Sequence, residues 1–248
     1  MRQNEGFRFK QFYVRHDRCA MKVGTDGVLL GAWAPIQDFK FRISNFKFTI
    51  LDVGTGCGLI ARMLMQRCEQ AAIEAKVEGI DIDEAAVEQA RENGVNAYLS
   101  SLQDWQIVSR QLSDRQLYDL VVSNPPYFVN SLKNPDEQRR AARHTDSLSY
   151  EELIVHSVRL MKENGLLALI VPADAEEEIR QLADAKGLYL ARATRVYSKE
   201  GKAPKRVLMA FEKLRIKNYE LKIDSLVLED EHGGRSQAYQ ELTKDFYL

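Results

Sequence analysis

The sequence predicts an α/β fold: a mostly parallel β-sheet flanked by helices, with an antiparallel hairpin at its edge and a small N-terminal extension. Three observations lead there. From Phe48 onward, short runs rich in Val, Ile and Leu alternate with segments whose apolar residues recur at helical spacing, the pattern of successive β-α units. The first turn from strand to helix, Gly54-Thr55-Gly56-Cys57-Gly58, is rich in glycine, as suits a backbone that a ligand approaches beyond the strand ends of an open sheet. The last two strand-like runs are joined by a short basic loop, too short for a parallel crossover. Residues 1–48 are assigned to a hairpin and helix extension packing on the core, and 49–248 to the main domain.

In order along the chain, Phe7 to Val14 alternates aromatic and polar residues and predicts a strand or hairpin arm. Thr25 or Asp26 is expected to cap a short helix through Ala32, which Pro35 forecloses. Phe39 to Phe48 is aromatic and basic, with a turn at Ser44-Asn45. Strands are predicted at Thr49–Val53, Val77–Ile82, Val95–Ser101, Tyr118–Val122 and Leu166–Val171. Helices follow at Leu59–Arg67, from an Asp83 cap to about Asn93, at Glu151–Lys162 with Gly165 marking the end, and at Ala175–Ala185. Leu188–Tyr197 and Val207–Phe211 form the hairpin, and Leu221–Leu228 is a further extended segment.

The composition is that of a globular protein, with 45% apolar and 29% charged residues and a formal net charge of −1. Cys19, Cys57 and Cys68 are too few and too scattered for a disulfide framework or a metal cage. Behind Met1 comes Arg2-Gln3-Asn4-Glu5, with no apolar core of a signal peptide, and no apolar run has membrane-spanning length, so a cytoplasmic protein without membrane association is expected. Charge is uneven, however. Between Lys186 and Lys217 ten Lys/Arg face two acids, Glu200 and Glu212, a local surplus of +8 that can attract phosphates or simply line a solvated surface.

The chemistry concentrates at strand ends. Ser123-Asn124-Pro125-Pro126-Tyr127 follows the buried-type run Leu120-Val121-Val122. Proline lacks an N–H and fixes its own φ, so the pair forms a stiff ledge with free carbonyl acceptors. With the Asn124 amide before it and the Tyr127 ring after it, the ledge suits a planar group bearing an NH₂. Asp52, just ahead of Gly54, Thr55, Gly56 and Gly58, faces an ammonium better than a pyrophosphate, and the spacing is not the G-x-G-x-x-G of dinucleotide binders. Asp81, at the tip of the next strand, is placed to accept the hydroxyls of a ribose.

Together these residues resemble the class I S-adenosylmethionine-dependent methyltransferases, and Asn124-Pro125-Pro126-Tyr127 resembles the N-P-P-Y motif of their amino-group methylating members. Phe9-Lys10-Gln11-Phe12, Met21 through Trp33, Arg140-Ala141-Ala142-Arg143-His144 and Asp245-Phe246-Tyr247-Leu248 are similar to the bacterial tRNA1(Val) adenine-N6 methyltransferase family. The resemblance implies a Rossmann-like class I sheet, S-adenosyl-L-methionine as cofactor with S-adenosyl-L-homocysteine as product, no metal, and a tRNA substrate methylated at adenine 37. Asn124, Pro125, Pro126 and Tyr127 would be catalytic; Asp52, Gly54, Thr55, Gly56, Gly58 and Asp81 would hold the cofactor. Ser101 or Leu102 would contact its adenine, with Asp104 a further candidate because the Asn93–Leu99 connection is shorter than the family pattern. RNA contacts are assigned to Lys10, Arg140, Arg143, His144, Arg195 and Lys202, with a solvated loop and hairpin as the alternative, and a monomer is favoured. The same motif also serves rRNA guanine-N2 and protein-glutamine methyltransferases; a DNA adenine methyltransferase is disfavoured by the lack of a region for reading DNA sequence, a non-catalytic nucleotide-binding regulator by the intact motif, and an NAD-dependent dehydrogenase by the glycine spacing.

Overall fold

A computed structural model of the protein describes residues 5–36, 47–112, 117–126, 148–213 and 221–248. A short antiparallel hairpin, β1 (Gly6–Arg8) and β2 (Tyr13–Arg15), leads to helix α1 (Thr25–Trp33). Then follow β3 (Phe48–Val53), α2 (Leu59–Gln70), β4 (Ala75–Asp81), α3 (Glu84–Glu92), β5 (Asn96–Leu99), α4 (Leu102–Leu112), β6 (Tyr118–Ser123), α5 (Tyr150–Leu160) and β7 (Met161–Pro172). A 3₁₀ turn at Ala173–Ala175 opens α6 (Glu176–Ala185), and β8 (Tyr189–Tyr197), β9 (Arg206–Glu212), β10 (Lys222–Val227) and α7 (Gln237–Thr243) complete the chain.

Eight strands form one sheet in the order β10-β8-β9-β7-β6-β3-β4-β5. Only the pairings of β9 with β7 and β8 are antiparallel. The predicted hairpin is therefore present, but its outer strand is covered: β10 pairs with β8 in parallel and takes the edge.

The near-continuous apolar strands are explained by burial on both faces. Along β7, Leu166, Ala168 and Ile170 point into one cluster and Leu167, Leu169 and Val171 into the other, the period-two alternation of a strand. The first cluster lies under α1, α2, α3 and α7; the second lies under α4, α5 and α6. A third, built by Phe9, Phe12, Val14, Cys19, Cys57, Met63 and Phe246 among others, seats the N-terminal hairpin beside the glycine turn. Trp33 Nε1 donates to Thr194 Oγ1 at 2.8 Å, joining α1 to β8.

Several local expectations are corrected. Neither Thr25 nor Asp26 caps α1; the cap position is Gly24, and Asp26 instead pairs with Arg206 at 3.0 Å. Helix α5 starts from a capping box between Ser149 and Glu152 and stops at Leu160, well before Gly165. Gly165 lies within β7, where a Cβ would sit 2.9 Å from the Tyr118 carbonyl oxygen, close to the register shift between β6 and β7. Helix α4 has no counterpart among the predicted elements, although Leu102 and Trp105 sit three apart and are both buried.

Candidate active site

The carboxyl ends of β3, β4 and β6 lie side by side and point the same way, so the turns that follow them share one edge of the sheet. After β3, Gly54, Gly56 and Gly58 all have positive φ, at 69°, 54° and 80°. Side chains at Gly54 and Gly56 would meet nothing within 4 Å, so conformation rather than crowding demands glycine there, and the loop backbone faces open space. Gly58 has another role: it is the N-cap of α2, and a Cβ would strike the Val95 side chain at 2.7 Å.

Asp52 is fully buried behind this loop. Its Oδ2 accepts from Thr55 Oγ1 at 2.8 Å and from the Ala61 backbone N–H at 3.2 Å, clamping the turn to the start of α2. Its Oδ1 is enclosed and has no partner among the described residues. Burial pushes the carboxyl up to about 7; the bonds from Thr55 and Ala61 pull against that, and the nearby Asp81 charge adds to it.

Asp81 ends β4 and fastens two elements. Its Oδ2 accepts from Gly56 N at 2.8 Å and its Oδ1 from Asp83 N at 3.0 Å, leaving each oxygen a second lone pair. Asp83 caps α3, as the sequence predicts, by accepting from Ala85 N. Two apolar side chains beside Asp81 escaped the sequence reading. Ile82 is 60% exposed, and Leu99, the cross-strand partner of Asp81, is 52% exposed. An isoleucine between two acids at a strand tip was the available signal.

Ser101 and Asp104 are engaged with each other: Ser101 Oγ donates to Asp104 Oδ2 at 2.7 Å and accepts from Asp104 N at 3.1 Å, fixing the start of α4. Leu102 is buried against Trp105, so only its backbone remains available to a ligand.

At the end of β6, Ser123 Oγ donates to the Val53 carbonyl at 2.8 Å and holds the two strand ends together. Asn124 follows, half-buried, with Nδ2 donating to Met21 Sδ at 3.8 Å. Its Oδ1 is enclosed without a partner among the described residues. Pro125 is buried and Pro126 exposed. Tyr127, Arg140, Arg143 and His144 lie outside the described residues.

Within the basic run between Lys186 and Lys217, most of the described cations are ion-paired in the folded chain. Six of its eight described cations pair with acids from elsewhere in the chain: Lys186 with Glu151, Arg192 with Asp224, Arg195 with Glu176, Lys199 with Glu229, Arg206 with Asp26 and Lys213 with Glu163; Arg215 and Lys217 lie outside the described residues. Arg195 is held by Glu176 through two bonds of 2.9 Å. Lys202 is exposed with no ion pair among the described residues. The Lys10 ammonium donates to the Lys244 carbonyl and its N–H to the Phe246 carbonyl, tying the hairpin to the C-terminal segment.

Cys19 and Cys57, far apart in sequence, meet in the third cluster. Both are buried there, and the Cys19 thiol donates to Gln89 Oε1 at 2.8 Å. No three His, Cys, Asp or Glu side chains gather as a metal-ligand set among the described residues, and no helix there is long and apolar enough to cross a membrane.

Residues 39–184 match the family model of the methyltransferase small domain. The chain is 45% identical over 249 residues to the tRNA1(Val) (adenine(37)-N6)-methyltransferase of Phocaeicola vulgatus, covering 99% of this chain and 98% of that one. It is 37% identical over 254 residues to the protein of the same name from Photorhabdus laumondii, covering 99% and 96%. Among solved structures, a predicted O-methyltransferase from Agrobacterium tumefaciens aligns with a TM-score of 0.61 at 17% identity, over 89% of this chain and 96% of that one. The Thermus thermophilus 16S rRNA N2 G1207 methyltransferase, in complex with AdoMet and guanosine, aligns at 0.53 and 19% identity, over 85% and 44%. At such identities these two similarities speak to the fold alone.

Proposed function

Because the chain belongs to the methyltransferase small domain family, among the tRNA1(Val) (adenine(37)-N6)-methyltransferases, we propose that it methylates the exocyclic N6 amine of adenine 37 in tRNA1(Val) with S-adenosyl-L-methionine as donor. The observation that carries this reading is the enclosed Oδ1 of Asn124, without a partner among the described residues, at the edge of the sheet that also bears the glycine turn. Buried polar atoms are rarely left without partners, and an acceptor oxygen left open beside two rigid prolines awaits a donor.

The residues fit the cofactor. The unpartnered Asp52 Oδ1, on a carboxyl that burial holds near neutrality, suits a cation such as the amino group of the methionyl part. The open face of Gly54 and Gly56 admits a ligand backbone, Asp81 keeps lone pairs for a ribose diol, and exposed Ile82 offers an apolar surface for a planar base. When bound, S-adenosylmethionine supplies an electrophilic methyl on a positively charged sulfur. Ser101 Oγ and the Leu102 backbone are assigned to the rim of the adenine end.

The chain's own contribution is to prepare the amine. The lone pair of N6 is delocalised into the adenine ring, and its protons are too weakly acidic for a side chain to remove beforehand. Asn124 Oδ1 and the Pro125 carbonyl accept one N–H each, which favours a tetrahedral nitrogen with its lone pair free. The same two dipoles stabilise the positive charge that grows on nitrogen. Pro125 restricts Asn124 to extended backbone, and Pro126 restricts Pro125, so the acceptors are held in place before the substrate arrives. Tyr127 is assigned to stacking on a base that has left its own stack, a contact of about 1–3 kcal/mol. None of these roles calls for a metal. Residues 1–48 are taken as an extension that frames the site, and the enzyme as a cytoplasmic monomer.

The test is incubation with labelled S-adenosylmethionine and total tRNA from a strain lacking the enzyme, followed by identification of the modified nucleoside. N6-methyladenosine at position 37 of tRNA1(Val) is expected. Label found only in guanine, in rRNA or in protein would reject the reading.

A further inference from the structure

Asn124 has a single described side-chain partner, and it comes from the N-terminal part of the chain. Met21 Sδ lies 3.8 Å from Asn124 Nδ2, and half of the Met21 surface remains exposed. The segment carrying Met21 is fastened along its length. Asp17 Oδ1 accepts from Gln89 Nε2 at 2.8 Å, Arg18 N donates to Gln89 Oε1 at 3.1 Å, and Cys19 Sγ donates to the same oxygen at 2.8 Å. Arg18 pairs with Glu88 and Glu92, and His16 Nδ1 accepts from Val23 N at 3.1 Å. Residues 16–23 thus form a fixed bridge from the second half of α3 to the end of β6.

We propose that Met21 is a positioning residue: its thioether receives the Asn124 NH₂ and thereby turns Oδ1 toward the amine to be methylated. A thioether has lone pairs and no proton, so it matches Nδ2 and repels Oδ1. An amide has two faces of opposite polarity, and nothing else among the described residues selects between them, since Oδ1 has no partner. Sulfur is a weak acceptor, which lets it orient the amide without competing for the oxygen that the reaction requires. The exposed remainder of Met21 adds an apolar edge against which a planar base can lie. This inference rests on the amine-methylating reading above.

The experiment is single-turnover methylation of tRNA1(Val) with saturating enzyme and S-adenosylmethionine, run for the unsubstituted chain, Met21→Leu and Met21→Gln. Leucine keeps the apolar bulk and removes the acceptor; glutamine restores one. The rate constant is expected to fall about 3- to 10-fold in Met21→Leu, the loss of one weak contact in the transition state, with tRNA and cofactor affinities within about twofold of the parent. Met21→Gln should recover part of the loss. In an Asn124→Ala background, Met21→Leu should have no further effect on whatever rate remains. An unchanged rate constant in Met21→Leu, or a loss confined to tRNA affinity, overturns the inference while leaving the function intact. Absence of transfer by the unsubstituted chain rejects both.

Discussion

Asp52→Asn separates the structural cost of the buried carboxylate from its service to the cofactor. In the folded protein the carboxyl is raised from its ordinary 3.8 to about 7, chiefly by burial. At 1.36 kcal/mol per pH unit, that rise makes the ionised form cost about 4 kcal/mol of stability above neutrality. The sign follows from linkage. Because the folded pKa lies above the unfolded one, the full stability is present below 3.8 and is lost progressively as pH rises to about 7. Asparagine has no such titration. Its oxygen can take over the bonds from Thr55 and Ala61, but its NH₂ would occupy the position of the partnerless Oδ1, at a cost of about 1–3 kcal/mol. That amide cost does not vary with pH. The stability of the variant relative to the parent should therefore climb by about 3 kcal/mol between about pH 5 and about pH 8, then level off. Urea unfolding of both proteins without cofactor, at several pH values in that window, measures it. A difference that is flat, or that falls with rising pH, would refute the buried-carboxylate argument. In the same variant, affinity for S-adenosylmethionine should drop at least about tenfold if Asp52 faces its amino group, about 1.4 kcal/mol for a charge-assisted bond. Undiminished binding by calorimetry would remove that assignment.

Three further outcomes are expected. Asn124→Ala should bind S-adenosylmethionine near normally and lose methyl transfer by about 100-fold or more, as for removal of an oriented dipole from an active site; lost cofactor binding would count against the role. Lys202→Glu should weaken tRNA binding and reduce the slope of log K against log salt by about one charge, whereas Arg195→Gln, which removes a cation already held by Glu176, should leave the slope unchanged. Equal slopes for Lys202→Glu and the parent would return the hairpin to a solvated surface. The His16 imidazole is held below its ordinary range mainly by burial and accepts from Val23 N, so its neutral form supports the 16–23 bridge. That support is present above the unfolded pKa of about 6.5 and is lost as pH falls through the lower folded value. The Val23 amide resonance should shift in step with the His16 ring below about pH 6.5, and independence of the two signals would separate them.

The β-α alternation, the glycine turn, Asp81 with its neighbouring helix cap, and the Asn124-Pro125-Pro126 ledge were all legible in the chain. Each depends on residues within a few positions of one another: strand burial on both faces, positive φ at Gly54 and Gly56, and an Asp83 side chain returning to Ala85 N. Helix α4 was missed although Leu102 and Trp105 carry helical spacing, because its start is marked only by Ser101 and Asp104. Gly165 was misplaced because its constraint is the carbonyl of Tyr118, a contact across strands that no local pattern announces.

By itself, then, the sequence determined the sheet, the order of its turns and the chemical types gathered at their ends, because local backbone preference and apolar periodicity act over short separations. Charge and partnership were decided by the tertiary structure. Glu176, Asp224, Glu229 and Asp26 reach the basic run only once the chain is folded, which turns much of its described part into ion pairs. The two enclosed oxygens on Asp52 and Asn124, and the sulfur of Met21 beside the Asn124 amide, likewise exist only where distant segments meet. Electrostatics and hydrogen bonding depend on distance through space, and folding alone sets that distance.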